Sequence, residues 1–391
     1  MDQVELDGLR VTLEDPVQVS EGVGHCHFPG IGRFATGELL ASMMLVADAH
    51  GNHLTAQRIC ISTDAGRTWE PRYTVSEAMT GAKFPLPNGD MLMTSSPVSP
   101  DPPGQWRSFA GPYVRYQDGG KRIVVEDRGM RVEGLPRDVA ALPDEWVLPG
   151  QVNKGNQAFG GPILEVDGRM LTPMYLRFAE HERVSPFYST VVFESEDEGR
   201  NWRYLSTVSG PNAVPGAPHG PCEPALVMLE TGELMCVMRV GWEGRGWPMV
   251  RSYSADGGRT WSPTDRMPGW SVAPDLLRLA NGTLLLCAGR PGSYLWLSTD
   301  PRGETWQRID LLAHHNKWAP GPEHTIVSQD FLNRESLHKR EQTTSYMSMV
   351  EVEPDRVLLA YDRIPFGWNP VPSDSDERSR VYVVPFTVDR T

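Results

Sequence analysis

The chain of 391 residues has a deficit of positive charge and no long apolar run. Lysine and arginine together number 37 against 50 aspartate and glutamate residues, so the formal net charge is −13. Nucleic acids and anionic membranes both attract a basic surface, and this balance argues against either as a partner. The chain contains no run of 18 apolar residues, so the sequence does not predict a transmembrane helix. An acidic small substrate is still compatible with the charge, because a local group of arginines can override the overall sign.

The chain also lacks targeting and metal-binding signals. Its first residues contain no basic region followed by an apolar stretch, so no secretory signal peptide is recognisable. The five cysteines show no C-x-x-C spacing, and we expect them to be buried free thiols on strands. These absences predict a cytoplasmic protein, or a secreted one if a leader was removed, that uses no cofactor.

What the chain does contain is a short turn sequence that occurs four times. The consensus is Ser-x-Asp-x-Gly-x-Thr-Trp, and the copies begin at Ser62, Ser195, Ser254 and Ser298, the last with one extra residue. The aspartate can accept hydrogen bonds from backbone N–H groups of its own turn, and the glycine supplies a positive φ. Four copies, each after a β-rich run, predict a repeat architecture. Repeats of about 40–50 residues with four strands each are typical of a propeller.

Through these four turns the chain resembles the sialidase superfamily, in which they are called Asp-boxes. The resemblance covers nearly the whole chain and implies a propeller fold. Because such turns also occur in propellers that are not enzymes, they indicate the fold more than the chemistry.

A second repeat consists of apolar hairpins with a Gly or Asp at the turn. Asn-Gly and Asp-Gly between apolar runs are strong hairpin signals, and six copies can be counted, with turns at Gly37, Gly89, Gly168, Gly232, Gly282 and Asp355. We therefore predict an all-β fold, a six-bladed β-propeller of four-stranded antiparallel blades, as a single domain over residues 1–391. Each hairpin would form the inner two strands of a blade, and each Asp-box would join the outer two.

The ends of the chain and two long segments complete this prediction. The runs that begin at Val11 and Val17 are predicted to supply a strand that closes the ring, so that no sheet edge stays open. Segments 97–112 and 124–155, rich in proline, glycine and charge, are predicted to be loops over one face.

Polar residues cluster at sequence positions that a propeller brings to one mouth of its channel. These positions precede each first strand or follow each second strand, and they are occupied by His25, His27, Asp48, Arg177, Glu223, Arg239, Arg290, Tyr346, Asp362 and Arg363. An arginine presents a planar fork that matches a carboxylate, so several arginines at one mouth of an acidic protein predict an anion site. A charge that follows an apolar strand also needs a partner.

The resemblance to sialidases gives roles to five of these residues. Glu223, Arg239 and Arg290 are similar to the family's glutamate and arginines of two successive blades, and Tyr346 is similar to the tyrosine that opens its last blade. The resemblance implies Tyr346 as nucleophile, Glu223 as its base, Arg239 and Arg290 as a clamp on the substrate carboxylate, and Arg177 as an auxiliary residue. A neutral tyrosine avoids the repulsion between an anionic nucleophile and an anionic sugar. The implied function is an exo-acting glycoside hydrolase for glycans that carry an acidic sugar such as a sialic acid.

Two positions depart from the family pattern. His27 stands where the family has a third clamp arginine, and we expect it to contact the substrate. The family's acidic aspartate corresponds to a loop in which Asp48 is close and His53 lies nearer to the expected place. Either side chain is a candidate acid or base.

These departures leave two alternatives open. A polysaccharide lyase that cleaves uronate linkages by β-elimination would use His27 or His53 as base and Tyr346 as acid, with an arginine stabilising the enediolate. A non-catalytic propeller would bind a glycan without turning it over. His25 and His27 with His50 or His53 match no metal-ligand spacing, so no metal is predicted. In every case the expected partner is a glycan or oligosaccharide.

Overall fold

The computed structural model describes residues 1–45, 56–76, 81–94, 99–141, 157–180, 183–184, 187–217, 220–241, 248–269, 271–290, 292–326, 344–365 and 374–391. Strands dominate these residues, which contain one α-helix, α1 (Leu311–Trp318), and one 3₁₀ helix, Pro322–His324. The predicted all-β class is confirmed.

The described residues contain thirty strands, numbered here in chain order. The first twelve are β1 (Asp2–Leu6), β2 (Leu9–Leu13), β3 (Val17–Val23), β4 (His27–Arg33), β5 (Leu39–Met44), β6 (Ala56–Ser62), β7 (Glu70–Ser76), β8 (Lys83–Pro85), β9 (Met91–Met93), β10 (Ser99–Pro100), β11 (Phe109–Gln117) and β12 (Arg122–Glu133). The next eleven are β13 (Gln157–Phe159), β14 (Leu164–Val166), β15 (Arg169–Leu176), β16 (Ala179–Glu180), β17 (Arg183–Val184), β18 (Ser189–Ser195), β19 (Asn201–Ser209), β20 (Cys222–Met228), β21 (Leu234–Arg239), β22 (Val250–Ser254) and β23 (Asp265–Arg266). The last seven are β24 (Val272–Arg278), β25 (Leu284–Gly289), β26 (Ser293–Ser298), β27 (Gln307–Asp310), β28 (Ser348–Glu353), β29 (Arg356–Arg363) and β30 (Arg378–Arg390).

A four-stranded antiparallel unit recurs through the described sheets. Three sheets consist of this unit alone, in the orders β4-β5-β6-β7, β20-β21-β22-β23 and β24-β25-β26-β27. A ten-stranded sheet contains two such units, β13-β15-β18-β19 and β12-β11-β9-β8, joined by the parallel pairing of β12 with β19. A six-stranded sheet has the order β1-β2-β30-β29-β28, with β3 also paired to β30. In each unit the predicted hairpins supply the first two strands.

The recurring turns lie between the third and fourth strands of their units, as the sequence predicts. In the third copy the Asp256 carboxylate accepts the backbone N–H of Thr260 at 2.9 Å and its hydroxyl at 2.6 Å. The Trp261 indole N–H donates to the Gly258 carbonyl at 3.2 Å, which fixes the tryptophan over the turn. The first two copies make the same backbone bond at 2.9 Å. In the fourth copy the extra residue shifts the bond, and Asp300 accepts the N–H of Arg302 instead.

The two ends of the chain pair with each other, as expected for a closing strand. Val11 of β2 lies opposite Val388 of β30, and Val17 of β3 lies opposite Val383. The apolar side chains of β2 are fully buried against the last sheet. This pairing ties the first residues to the last ones and covers the edge that β30 would otherwise leave open.

The prediction of long loops at 97–112 and 124–155 was wrong in part. Strand β10 and the beginning of β11 fall in the first segment, and β12 extends to Glu133 in the second. The proline and glycine content concealed these strands, because β11 tolerates Gly111 and Pro112 at a bulge between Gly111 and Tyr113. Residues 142–156 lie outside the described part of the chain.

The core lies between neighbouring sheets rather than within one layer. One cluster joins Val227 and Met235 of the β20 sheet to Leu276, Leu286 and Trp296 of the β24 sheet. All five cysteines are buried free thiols as predicted, and all but Cys26 lie on strands. No helix in the described ranges is long and apolar enough to cross a membrane.

Helix α1 and the 3₁₀ helix are fastened to the last sheet by a buried histidine. The His315 ring makes 2.8 Å hydrogen bonds with the Tyr361 hydroxyl through Nδ1 and with the His324 carbonyl through Nε2. Burial lowers the pKa of His315 to about 4, so the ring is neutral at pH 7. With the contacts of both helices to Tyr382, these bonds hold α1 and the 3₁₀ helix against β29 and β30.

Candidate functional site

The site is built around a hydrogen bond between a tyrosine and a glutamate that are 123 positions apart. The Tyr346 hydroxyl, just before β28, donates to Oε1 of Glu223 at the start of β20 at 2.5 Å. The other carboxylate oxygen, Oε2, accepts the backbone N–H of Ala273 at 3.0 Å. The beginnings of three first strands, β20, β24 and β28, therefore meet at one point.

Arg239 completes this contact from the end of β21. Its Nη1 lies 2.8 Å from Oε2 of Glu223, and its Nε donates to the Gly241 carbonyl at 2.7 Å. Both side chains are about nine-tenths buried. Burial alone would raise the pKa of Glu223, but the charges of Arg239 and Arg290 and the hydrogen bonds of Arg239 and Tyr346 lower it to about 2. Glu223 is thus a carboxylate at neutral pH, and it raises the pKa of Arg239 in return.

Arg290 approaches the same tyrosine from the end of the next sheet. Its guanidinium carbon lies 5.3 Å from the centroid of the Tyr346 ring, within the range of a cation–π contact. The side chain is only 3% exposed, and its backbone has a φ of +51°. A strained backbone that holds a buried charge beside a tyrosine is the kind of feature found at functional sites.

A β-bulge occurs at the start of each of β4, β20 and β24 and turns one side chain of each strand toward this region. The ladder register shifts between His27 and Gly30, between Cys222 and Ala225, and between Val272 and Asp275. In each bulge the second residue has a positive φ: +51° at Phe28, +45° at Glu223 and +44° at Ala273. A bulge redirects the side chain that it carries. The sequence carries a signal for these bulges, because a proline directly follows each of the three residues.

Asp362 is a fully buried aspartate that supports the same end of the strands. One carboxylate oxygen accepts the N–H of Ser345 at 2.5 Å, and the other accepts the N–H of Phe28 at 3.0 Å and the Ser345 hydroxyl. Burial raises the pKa of Asp362 to about 7, against the effect of these bonds and of Arg290. The residue links the start of β4 to the residue next to Tyr346, so it orients two walls of the site.

Arg177 lies on the neighbouring side, in contact with an aromatic ring. Its guanidinium carbon is 4.3 Å from the centroid of Tyr188, whose ring packs edge-on against Tyr175 at 5.1 Å. Burial raises the pKa of Tyr175 well above its usual value, and Tyr346 and Glu223 add to this rise. Arg177 is therefore linked to Tyr175, which lines the cavity beside Glu223 and Tyr346, through the ring of Tyr188.

A cavity of about 700 Å³ lies beside this cluster, and Tyr175, Glu223 and Tyr346 are among the residues that line it. Among the described residues it is lined by strands at one edge of every four-stranded unit and of the six-stranded sheet, namely β4, β8, β13, β14, β20, β24 and β28. Phe28, Glu223, Ala273 and Tyr346 lie at one end of it, which we call the mouth. The volume falls in the range of small-molecule sites.

Of the other residues proposed from the sequence, His27 does not line this cavity. It is fully buried, and its ring stacks on Phe28 at 4.2 Å, so Phe28 faces the cavity in its place. The bulge explains the difference, because it turns the residue after His27 inward. Phe28 in turn lies 4.7 Å from the Tyr346 ring. Asp48, His50 and His53 lie outside the described residues. Arg363 points away, toward the Thr325 carbonyl.

The described residues do not form a group of three or more His, Cys, Asp or Glu side chains that could hold a metal ion. The cluster at the mouth offers the chemistry of a phenol, a carboxylate and two guanidinium groups. A phenol hydrogen-bonded to a carboxylate can lose its proton as it attacks, and the guanidinium groups can bind an anion.

Comparison with solved structures shows a shared fold over nearly the whole chain. A protein of unknown function from Dyadobacter fermentans is 18% identical, with a TM-score of 0.65 over 98% of this chain and 100% of that one. An α-L-arabinanase of Penicillium chrysogenum in complex with arabinobiose is 16% identical, with a TM-score of 0.57 over 95% and 98%. A Hadza microbial sialidase is 15% identical, with a TM-score of 0.54 over 93% of this chain and 65% of that one.

Comparison of the sequence itself gives a family. No curated protein matches the chain. The family model described as a BNR repeat-like domain matches residues 143–356, which is more than half of the chain and includes Glu223, Arg239, Arg290 and Tyr346. The chain belongs to the family of proteins with a BNR repeat-like domain.

Proposed function

We propose that this protein is a six-bladed β-propeller and a retaining glycoside hydrolase that removes a terminal acidic sugar from a glycan at the mouth of its central cavity. The observation that carries the proposal is the 2.5 Å hydrogen bond from the Tyr346 hydroxyl to Glu223. A half-buried phenol that donates to a carboxylate and faces a cavity is arranged as a nucleophile with its base.

The reaction would proceed in two displacements. The Tyr346 oxygen attacks the anomeric carbon, its proton passes to Oε1 of Glu223, and the glycosidic C–O bond breaks while an acid protonates the leaving oxygen. The deprotonated form of that acid then takes a proton from a water molecule, whose oxygen attacks the anomeric carbon. The bond between this carbon and the Tyr346 oxygen breaks, and the proton returns from Glu223 to the phenolate. Asp48 or His53 is our candidate for the acid.

Charge favours an acidic sugar over a neutral one. Arg239 contacts Glu223 and Arg290 contacts the Tyr346 ring, so two positive charges lie beside the nucleophile, where they would attract a substrate carboxylate. A substrate carboxylate near these guanidinium groups would weaken their hold on Glu223 and raise its pKa from about 2. Substrate binding would thus make Glu223 a stronger base when it is needed.

The solved structures of similar fold support hydrolysis of glycosidic bonds as the class of reaction. One is an arabinanase and one is a sialidase, so the sugar that the name indicates is neutral for the first and acidic for the second. Because fold alone does not fix the substrate, the choice rests on the two arginines. We also propose Arg177 and His27 as residues that shape the site, His27 by its support of Phe28 and not by direct contact.

A panel of chromogenic aryl glycosides and acidic polysaccharides tests the proposal. We expect release of aglycone from an α-sialoside, and a loss of at least about 1,000-fold in kcat for Tyr346→Phe. Tyr204→Phe is the matched control, because the Tyr204 hydroxyl contacts only the exposed Thr207 hydroxyl among the described residues. A covalent adduct on the Tyr346 peptide, trapped with a fluorinated substrate analogue, would identify the nucleophile.

Three outcomes would contradict the proposal. Full activity of Tyr346→Phe would show that Tyr346 is not the nucleophile. An unsaturated product that absorbs in the ultraviolet would mean β-elimination, the lyase chemistry. Saturable glycan binding without any turnover would mean a non-catalytic propeller.

A further inference from the structure

Beneath the mouth, the cavity continues into a second layer of residues. Two positions beyond Phe28 and Ala273 along β4 and β24 come Gly30 and Asp275, and both line the cavity. Two strand residues correspond to a depth of about 7 Å. Gly30 has no side chain and leaves space at this depth, whereas the side chain of Asp275 is charged.

A lysine reaches into the same layer through a slot made by two glycines. A Cβ atom on Gly32 would come within 3.0 Å of Cδ of Lys83, and one on Gly30 within 2.5 Å of its Nζ. The Lys83 side chain therefore runs along β4 from Gly32 toward Gly30, in the direction of the mouth. Within the described ranges its ammonium donates one hydrogen bond, to the Gly81 carbonyl at 3.3 Å. An ammonium carries three donors, so it has capacity for a ligand.

Asp275 contributes the opposite charge from β24. Its carboxylate accepts the N–H of Leu276 at 3.0 Å and of Met349 at 2.8 Å. Burial raises the pKa of Asp275 to about 6 and lowers that of Lys83 to about 8, and each charge offsets the shift of the other. The ion pairs among the described residues do not include this couple, so the two charges act on each other across the cavity.

We propose that Lys83 and Asp275 form a polar subsite below Tyr346 that binds a hydroxyl-bearing, uncharged substituent of the sugar held at the mouth. The subsite rests on the proposed function for the identity of its ligand as part of a sugar. The two charges cancel, so neither an anionic nor a cationic substituent is favoured there. A hydroxyl can accept from the ammonium and donate to the carboxylate at once.

Kinetics with a pair of substrates tests the subsite. The pair is an aryl glycoside that the wild type cleaves and its analogue that lacks one exocyclic hydroxyl. Hydrogen bonds to charged groups are strong enough that we expect the wild type to lose about 10- to 100-fold in kcat/KM on the deoxy substrate. Lys83→Met keeps the length of the side chain, and we expect its kcat/KM values for the two substrates to differ by less than about 2-fold. Lys121→Met, on an exposed turn, is the control and should discriminate like the wild type.

A second measurement does not depend on turnover. The chain has only five lysines, so the Cε resonances of protein labelled with ¹³C-lysine are resolvable, and Lys83→Met assigns the signal of interest. We expect this signal to shift saturably with N-acetylneuraminic acid or L-arabinose, and the Lys121 signal to stay unchanged.

The two measurements separate the two proposals. If no glycoside is cleaved but the Lys83 signal shifts with a sugar, the proposed function falls and the subsite stands. Suppose instead that glycosides are cleaved while Lys83→Met shows the same ratio of kcat/KM between the two substrates as the wild type and no sugar shifts the Lys83 signal. That result would refute the subsite and leave the proposed function standing. If nothing is cleaved and no sugar moves the signal, both fall.

Discussion

Replacement of Arg239 by methionine should destabilise the protein through the charge that it leaves behind. The Arg239 guanidinium lies 2.8 Å from Glu223, and the two side chains are only 10% and 11% exposed. Removing one partner of a buried ion pair leaves an uncompensated charge, which typically costs about 3–5 kcal/mol. We expect a loss of this size in the free energy of unfolding, measured by urea denaturation at pH 7 as a lower midpoint with an unchanged slope.

The pH dependence of stability gives a second test of the ion pair between Glu223 and Arg239. The pKa of Glu223 lies below its unfolded value of 4.5, so this group stabilises the fold above about pH 4.5 and loses its contribution as the pH falls toward about 2. In Arg239→Met the effect of burial is opposed by fewer groups, and the pKa of Glu223 rises. We therefore expect the increase of stability across this pH window to shrink in the variant.

A double-mutant cycle decides whether the cost comes from the pair. Arg239→Met/Glu223→Gln should lose less than the sum of the two single variants, because no buried charge is left alone. Arg203→Met is the control, since Arg203 pairs with Glu133 at 3.4 Å on the surface and should cost about 1 kcal/mol or less. A cost for Arg239→Met as small as that of the control, or strict additivity in the cycle, would refute the reasoning.

Three further predictions concern separate parts of the molecule. Arg290→Met should raise KM far more for an anionic than for a neutral aryl glycoside, and equal effects in steady-state kinetics would argue against a carboxylate clamp. Because the pKa of His315 is lowered to about 4 in the fold, stability should fall as the pH drops from about 6.5 to 4, by roughly 3 kcal/mol, and His315→Gln should abolish this slope in urea titrations at several pH values. Asp256→Ala removes the acceptor of two turn N–H groups. It should lower the free energy of unfolding by about 1–3 kcal/mol, whereas Asp300→Ala, with one such N–H bond, should cost less by calorimetry.

The repeating unit could be predicted because its signals are local. The turn aspartates bond to N–H groups a few residues away, and the apolar hairpins need only neighbouring residues to form. The same reasoning failed for β11 and β12, since bulged strands that carry glycine and proline look like loops until a neighbouring strand pairs with them.

The candidate site was predictable in its members but not in their arrangement. Equivalent positions in successive hairpins pointed to Glu223, Arg239, Arg290 and Tyr346, and the structure brings these four together. It could not be foreseen that Phe28 would take the place expected for His27. A bulge reverses which side chain points inward, and its positive φ is permitted only by the surrounding contacts.

The amino-acid sequence by itself determined the four-stranded unit, its turns and the residue types available at the strand starts, because each depends on hydrogen bonds and apolar periodicity within a few tens of residues. Only the tertiary structure decided that Tyr346 donates to Glu223, that Asp362 anchors two strands and that Lys83 faces Asp275. Those relations join residues far apart in the chain. They depend on how closely neighbouring sheets approach, which the packing of whole sheets around the cavity sets and no single segment encodes.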